Sequence, residues 1–350
     1  FRFANSPGWE TTFPRTDSLF AALGYDRSFV ARSDPGSSPA RLGNYLAQCL
    51  IEFGVQDGSN EAIGYHSTFY EPVNAPLNPA LIDPPELADP NRWQPLKLET
   101  FIDQGGNLLG EATPGFLGPE WGQVVPFALD PAGRRVYRRD DNPYVVYHDP
   151  GAPPHIDTFD YKWNFALVAV WSGHLSPADG VMIDISPASI GNIPVDELPR
   201  DMADYSDFYN LIDGGDAGTG RRINPHTGGP YEPQIVPRGD YARVLAEFWA
   251  DGPASETPPG HWFTILNYVS DHLLFERRYM GTGAVLTQLA WDVRAYLTLG
   301  GAMHDAAVAA WGIKGWYDYI RPISALRYMA SLGQSGDPDE LSYHPDGIPL

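Results

Sequence analysis

Cysteine and lysine are almost missing from this chain of 350 residues, which has one Cys (Cys49) and three Lys (Lys97, Lys162 and Lys314). A single cysteine excludes an intrachain disulfide and any cysteine-built metal site. Its place in an apolar helical pattern predicts a buried structural thiol. Positive charge of any kind is scarce: 23 Lys and Arg stand against 44 Asp and Glu, a formal net charge of −21. Nucleic acids and anionic membrane surfaces both select a basic footprint, so neither is expected as a partner. No apolar run is long enough to cross a bilayer, and no signal-peptide pattern is visible. The chain does not open on Met, and it closes on a Pro- and Gly-containing stretch, 343–350, with no finished element.

What is present is apolar and aromatic material, 43% and 13% of the residues, enough for one sizeable core or two smaller ones. Ser38-Pro39 followed by Leu42, Tyr45, Leu46, Leu50 and Phe53 predicts a first helix with a serine cap and an apolar stripe. Residues 68–157 are rich in Pro, Gly, Asp and Asn with scattered aromatics, which predicts long ordered loops and a few short strands. Phe159 to Trp171 predicts a second, buried helix, and 201–237 is again loop-like. Further on, Asp240 is expected to cap a helix with the stripe Tyr241, Val244, Leu245, Phe248 and Trp249. Pro258 opens another helix, to about His272. Ala284 to Trp311 predicts a long Ala-rich helix, interrupted or tightly packed at Gly300-Gly301, and 318–332 continues helically around a proline. The division is therefore a helical and loop-rich region, 1–234, and an all-α region, 235–350.

Chemistry concentrates in residues 305–322. Trp311, Lys314, Asp318 and Arg321 fall at i, i+3, i+7 and i+10, one side of a continuous helix. Two cations then lie about 10 Å apart along the axis. Pro322 disfavours helical geometry at Arg321, and a kink there would swing the two heads together. Converging guanidinium and ammonium groups suit a tetrahedral oxyanion. The plainer reading is a structural pair, with Asp318 four residues after Lys314 as an ordinary surface partner. Residue types alone leave both open. Elsewhere, Asp213-Gly-Gly-Asp216 lacks the ligand pattern of an EF-hand calcium loop. His261, at a Pro-Pro-Gly helix entry, reads as a capping or packing residue.

Lys314 with Arg321-Pro322 resembles the Lys-x6-Arg-Pro motif shared by vanadium-dependent haloperoxidases and type-2 phosphatidic acid phosphatases. Met303-His-Asp305-Ala, Trp311, Asp251-Gly-Pro and Glu256-Thr-Pro-Pro-Gly-His261-Trp262 resemble the haloperoxidase branch, most clearly over 235–350. The resemblance implies a mainly α fold, a helical bundle of the haloperoxidase type decorated by Pro/Gly-rich loops. It implies vanadate as cofactor, with hydrogen peroxide, halide and a small organic acceptor as partners. Carried over to this chain, Lys314 polarises bound peroxide and Arg321 donates to vanadate oxygens. Trp311 falls near the halide in some members, and Asp305 is a supporting or helix-packing residue. Many relatives are exported, so a periplasmic or secreted compartment is favoured. Halide preference and oligomeric state are left open.

The family also needs a Ser-Gly-His and an Arg-x5-His motif after the first one. Residues 333–350 contain neither, so the vanadium-binding histidine is expected beyond Leu350 and the chain as given is not expected to be a competent catalyst. Ser172-Gly173-His174 precedes Lys314 and reads as a coincidental tripeptide. Two alternatives remain: an acid phosphatase using the same site for phosphate, and a helical scaffold without catalysis.

Overall fold

A computed structural model of the chain describes residues 7–82, 86–103, 106–189, 220–250, 252 and 255–349. Seven α-helices lie along the described residues: α1 (Trp9–Ala22), α2 (Pro39–Gly54), α3 (Phe159–Gly173), α4 (Arg238–Phe248), α5 (Pro258–Ser270), α6 (Gln288–Tyr317) and α7 (Pro322–Leu332). The strands are β1 (Leu98–Ile102), β2 (Leu108–Ala112), β3 (Arg134–Arg139), β4 (Asn142–Tyr147), β5 (Met182–Asp184) and β6 (Ile235–Pro237). They form three antiparallel pairs, β1–β2, β3–β4 and β5–β6. The chain divides into two compact units, each discontinuous in sequence: Phe1–Pro153 with Asp251–Arg321, and Pro154–Ala250 with Pro322–Leu350.

The first unit is organised by α6. Thr287 caps it, its hydroxyl accepting from Ala290 N–H at 3.3 Å. Gly301, Asp305, Val308, Gly312 and Gly315 are buried along it at alternating steps of four and three, which makes one continuous seam. Three of these are glycines because neighbouring atoms, backbone at Gly312 and Gly315 and the Phe127 ring at Gly301, lie where a Cβ would. A Cβ on Gly312 would stand 2.6 Å from Val145 O, one on Gly315 would fall on Pro119 O, and one on Gly301 would enter the Phe127 ring. Gly122 faces Gly312, so loop and helix meet backbone to backbone. The helix is thus covered mainly by the 119–128 loop and by β4. Val124, Val145, Tyr147 and Val308 are the buried centre of that contact, with Trp121, Leu129 and Ala309 packed around them. The β3–β4 hairpin is closed by Asp140 and Asp141, both at positive φ (49° and 64°), the backbone of a two-residue turn matched to strand twist.

In the second unit Thr158 caps α3 (Oγ1 accepting from Tyr161 N–H, 3.3 Å), and the helix buries Tyr161, Phe165, Ala166 and Leu167. It packs on α7, whose buried residues are Ser324, Ala325 and Met329. β5 and β6 join through Ile183 opposite Val236.

The expected helices at 39–54, 159–173 and 258–270 form near their anticipated bounds, with Ser38 capping α2. Other expectations are corrected. The mainly α reading holds in part: helices share the fold with three small sheets, and a glycine seam admits a loop and a hairpin against α6 where a bundle would set helices. α1 was not anticipated, since Pro14 lies inside it and no apolar stripe marks it. α4 is preceded by Pro237 without a side-chain cap, and Asp240 sits in its first turn, paired with Arg243 at 2.8 Å. α6 runs unbroken through Gly300-Gly301 and on to Tyr317. The stripes of α2 and α4 are not core: Leu46, Leu50 and Val244 are 51%, 70% and 62% exposed. Cys49, on α2, is exposed with them, not a buried thiol.

Substituting Gly312 or Gly315 by Ala should destabilise the protein by about 1–3 kcal/mol, because backbone cannot give way as a side chain can. Gly300→Ala, whose Cβ would meet only Phe263 at 3.8 Å, should be neutral or stabilising. Urea unfolding of the three variants checks the contrast, and equal effects at all three positions would remove the seam from the account.

Candidate functional site

α6 carries Trp311 and Lys314 in its last two turns and ends where Asp318 turns left-handed (φ 48°, ψ 45°), its N–H reaching back to Lys314 O at 2.8 Å. An aspartate tolerates this conformation better than most residues. Beyond it the backbone runs extended and pairs with residues 91–93. Trp93 N–H donates to Asp318 O (2.7 Å), Ile320 N–H to Asn91 O (3.2 Å), and Arg92 bridges Tyr319. The break in the helix is therefore at Asp318, ahead of Arg321, and its cause is this pairing together with the Asp318 side chain.

That side chain is fully buried. Oδ1 accepts from the Tyr70 hydroxyl at 2.6 Å and Oδ2 from Arg92 Nε at 2.8 Å. It is not the surface partner of Lys314 that the spacing suggested. Tyr70 is itself held by Glu120, a buried carboxylate that accepts from the backbone N–H of Thr68 (2.7 Å), Phe69 (2.9 Å) and Tyr70 (3.2 Å) and from the Thr68 hydroxyl (2.7 Å). Burial raises the Asp318 carboxyl above its ordinary 3.8, against the pull of Tyr70 and Arg92. Burial, then the Asp318 charge, push the Tyr70 hydroxyl upward, so it stays a neutral donor.

The two cations of the motif flank this buried acid in sequence, and both are exposed. The Lys314 ammonium stands 4.0 Å from the Trp311 ring centroid, and the Arg321 guanidinium 5.2 Å from that of Trp93. Among the described residues neither meets a carboxylate. Each is held against an aromatic face with its donors available. Desolvation against the Trp93 ring lowers the Arg321 pKa from its ordinary value.

Trp311 spends its indole N–H on Leu117 O at 2.6 Å, which leaves its ring but not its donor for another contact. Asp305 lies further up α6 and clamps the 119–128 loop, accepting from Phe127 N–H (2.6 Å) and Ala128 N–H (2.7 Å). Arg139 reaches from β3 to the helix end, where it donates to Trp316 O and lies 4.9 Å from the Tyr144 ring centroid. The sequence reading did not find Tyr70, Arg92, Glu120 or Arg139. Ser172 bonds back to Val168 O in its own helix (2.7 Å) and belongs to the other unit. His261 Nδ1 lies 3.4 Å from Glu256 Oε2 beside the entry to α5. Asp213-Gly-Gly-Asp216 falls outside the described residues. No group of three or more metal-ligating side chains occurs among the described residues.

Residues 294–335 match the family model of the VCPO second helical-bundle domain. That span holds most of α6, the Asp318 junction and α7, and so contains Trp311, Lys314 and Arg321. It supports a likeness to the vanadium haloperoxidases over this part of the chain. A different relative is the aryl-phospho-β-D-glucosidase BglH of Bacillus subtilis, 28% identical over 253 residues, covering 66% of this chain and 50% of that protein. The chain spans about half the length of that curated relative. No solved structure matches.

The Asp318 carboxyl has a folded pKa above its unfolded value, so its contribution to stability is complete below about pH 4 and is lost as pH rises through the folded value. Asp318→Asn keeps the shape but turns one of the two oxygens that accept from Tyr70 and Arg92 into an amide donor, and should cost about 1–3 kcal/mol. The stability gap between wild type and this variant should narrow from pH 3 upward in denaturant titrations. A gap that widens with pH would mean that the Arg92 attraction outweighs burial.

Proposed function

We propose that Lys314 and Arg321 are the oxyanion donors of a vanadate-dependent peroxidase of the haloperoxidase type, which oxidises halide with hydrogen peroxide in the complete protein. The observation that carries this reading is the state of the two cations. In a chain of net charge −21 they have no carboxylate partner among the described residues, and each is held on an indole face. The one carboxylate that spacing offers them, Asp318, is occupied by Tyr70 and Arg92. The family-model match over 294–335 and the Lys-x6-Arg-Pro resemblance support the same reading, as they support the proposed haloperoxidase-type bundle.

The donor set fits a tetrahedral oxyanion: a guanidinium fork and a compact ammonium are both acceptor-free and strongly donating. Vanadate, when bound, supplies a Lewis acid that activates hydrogen peroxide toward a halide. Arg321 would hold vanadate oxygens through its guanidinium fork. Lys314, on a flexible stem, would donate a movable hydrogen bond to the same anion and draw charge from it. Asp318 acts through others: it ends the helix between the two cations and fixes the segment that carries Arg321. The same donors would accept phosphate, as the acid-phosphatase alternative requires. Glycoside hydrolysis ordinarily uses two carboxylates with room between them. The buried acids near this junction, Glu120, Asp305 and Asp318, already accept hydrogen bonds from the protein, so that chemistry has little support at this site.

Vanadate binding to the complete protein, whose later motifs are expected to supply the histidine ligand, can be read by vanadium-51 NMR without turnover. Lys314→Ala and Arg321→Ala should each weaken it about tenfold to a hundredfold, from ~1.5–3 kcal/mol lost with each charge-assisted hydrogen bond. Undiminished binding in the double variant would overturn the assignment. Phosphomonoester hydrolysis inhibited by vanadate would move it to the phosphatase, and cleavage of an aryl phospho-β-glucoside would move it to the relative from Bacillus.

A further inference from the structure

Beside the junction, within the first unit, lies a cleft of about 470 Å³, in the size range of small-molecule sites. Its aromatic lining is Trp93, Tyr70 and Phe116, with Phe116 centred 5.1 Å from each of the other two rings. Trp93 and Tyr70 are buried at 4% and 7% exposure, and both are pinned by Asp318, through a backbone hydrogen bond and through the phenol respectively. Four prolines stiffen the walls. The lining contains no lysine or arginine, and its one acid is Glu71, which is exposed. Two of the lining residues also touch the motif. Arg321 stacks on Trp93, and Leu117 O receives the indole N–H of Trp311, which carries Lys314 on its face.

We propose that this cleft binds a small aromatic amine, its ring against Trp93, Tyr70 and Phe116 and its ammonium toward Glu71, and that it is the organic-acceptor site of the enzyme. Size, rigidity and aromatic lining select a planar apolar ring. The lone carboxylate, Glu71, in a lining whose one basic side chain is the imidazole of His66, selects for a positively charged tail. Shared contacts with Trp311 and Arg321 put such a ring next to the groups that would generate the oxidant. The acceptor role rests on the peroxidase reading, whereas the binding itself does not.

Isothermal titration of the chain with tyramine, p-cresol and 4-hydroxyphenylacetate compares one ring with a cationic, a neutral and an anionic substituent. Tyramine should bind tightest and the acid weakest. Glu71→Gln should reduce the advantage of tyramine over p-cresol by about threefold to fivefold, the scale of an exposed ion pair. Gly115 lines the cleft, and a Cβ on it would meet nothing within 4 Å, so Gly115→Trp fills the space without backbone strain. That variant should lose binding of all three compounds while keeping wild-type unfolding and wild-type vanadate affinity. Failure of all three to bind, tightest binding of the acid, or undiminished binding in Gly115→Trp would each overturn the cleft assignment. In the complete protein, tyramine binding without vanadate binding would uphold the cleft and sink the peroxidase reading, and the reverse result would do the opposite.

Discussion

The buried carboxylate of Asp318 is the constraint on which the rest of the site depends. A left-handed residue ends α6 at that position, and the carboxylate needs donors there because water does not reach it. Tyr70 and Arg92 supply them from distant parts of the sequence, so one side chain draws together the 68–70 segment, the 91–93 segment and the end of the helix. The arrangement is not a cheap source of stability. Desolvation raises the carboxyl pKa in spite of a guanidinium at 2.8 Å, which means that burial costs more than the pair returns. What the interaction supplies is position. It separates Lys314, on the last turn of a helix, from Arg321, on an extended strand-like segment.

Position matters because of what holds the helix itself. The seam Gly301, Asp305, Val308, Gly312 and Gly315 lets loop and hairpin backbone approach α6 at distances no side chain would permit. Asp305 fixes the loop by two backbone hydrogen bonds, and Arg139 and the stacked Tyr137–Trp316 pair fix the hairpin against the C-terminal turn. Trp311 and Lys314 thus stand on a helix clamped along its opposite side, and the Trp311 indole is tied to Leu117 as well. The proposed anion site would gain from such rigidity, since little conformational entropy remains to be lost on binding.

Three helices were legible in the sequence: α2 begins at the Ser38 cap, and α3 and α5 begin at Phe159 and Pro258, where apolar composition and the proline entry predict. Lys314 and Arg321 could be singled out by a motif of fixed spacing, which needs no tertiary information, and their role is a proposal. Three things were not legible. The partner of Asp318 lies 226 residues away at Arg92, and local spacing could only propose Lys314. The glycines of α6 look like weak points in a one-dimensional reading, whereas in three dimensions they mark close backbone approach. The apolar stripes of α2 and α4 correctly gave helical period but wrongly implied burial, since amphipathicity states which face could be covered and not whether it is.

Charge distribution gives the last step. This chain has nearly twice as many acids as bases, yet its buried acids at the junction are neutralised chiefly by neutral donors: Glu120 by three backbone amides and a hydroxyl, Asp305 by two amides, Asp149 by two phenols. Of these acids Asp318 takes the guanidinium of Arg92 at 2.8 Å, and Asp149 that of Arg135 at 3.4 Å. With the acids served in this way, Lys314 and Arg321 meet no carboxylate among the described residues. Cation–π contact restrains them without satisfying their hydrogen-bond donors, because a ring face accepts charge but offers no lone pair. Two such cations, on rigid supports and without a carboxylate partner among the described residues, are what the proposed oxyanion site requires.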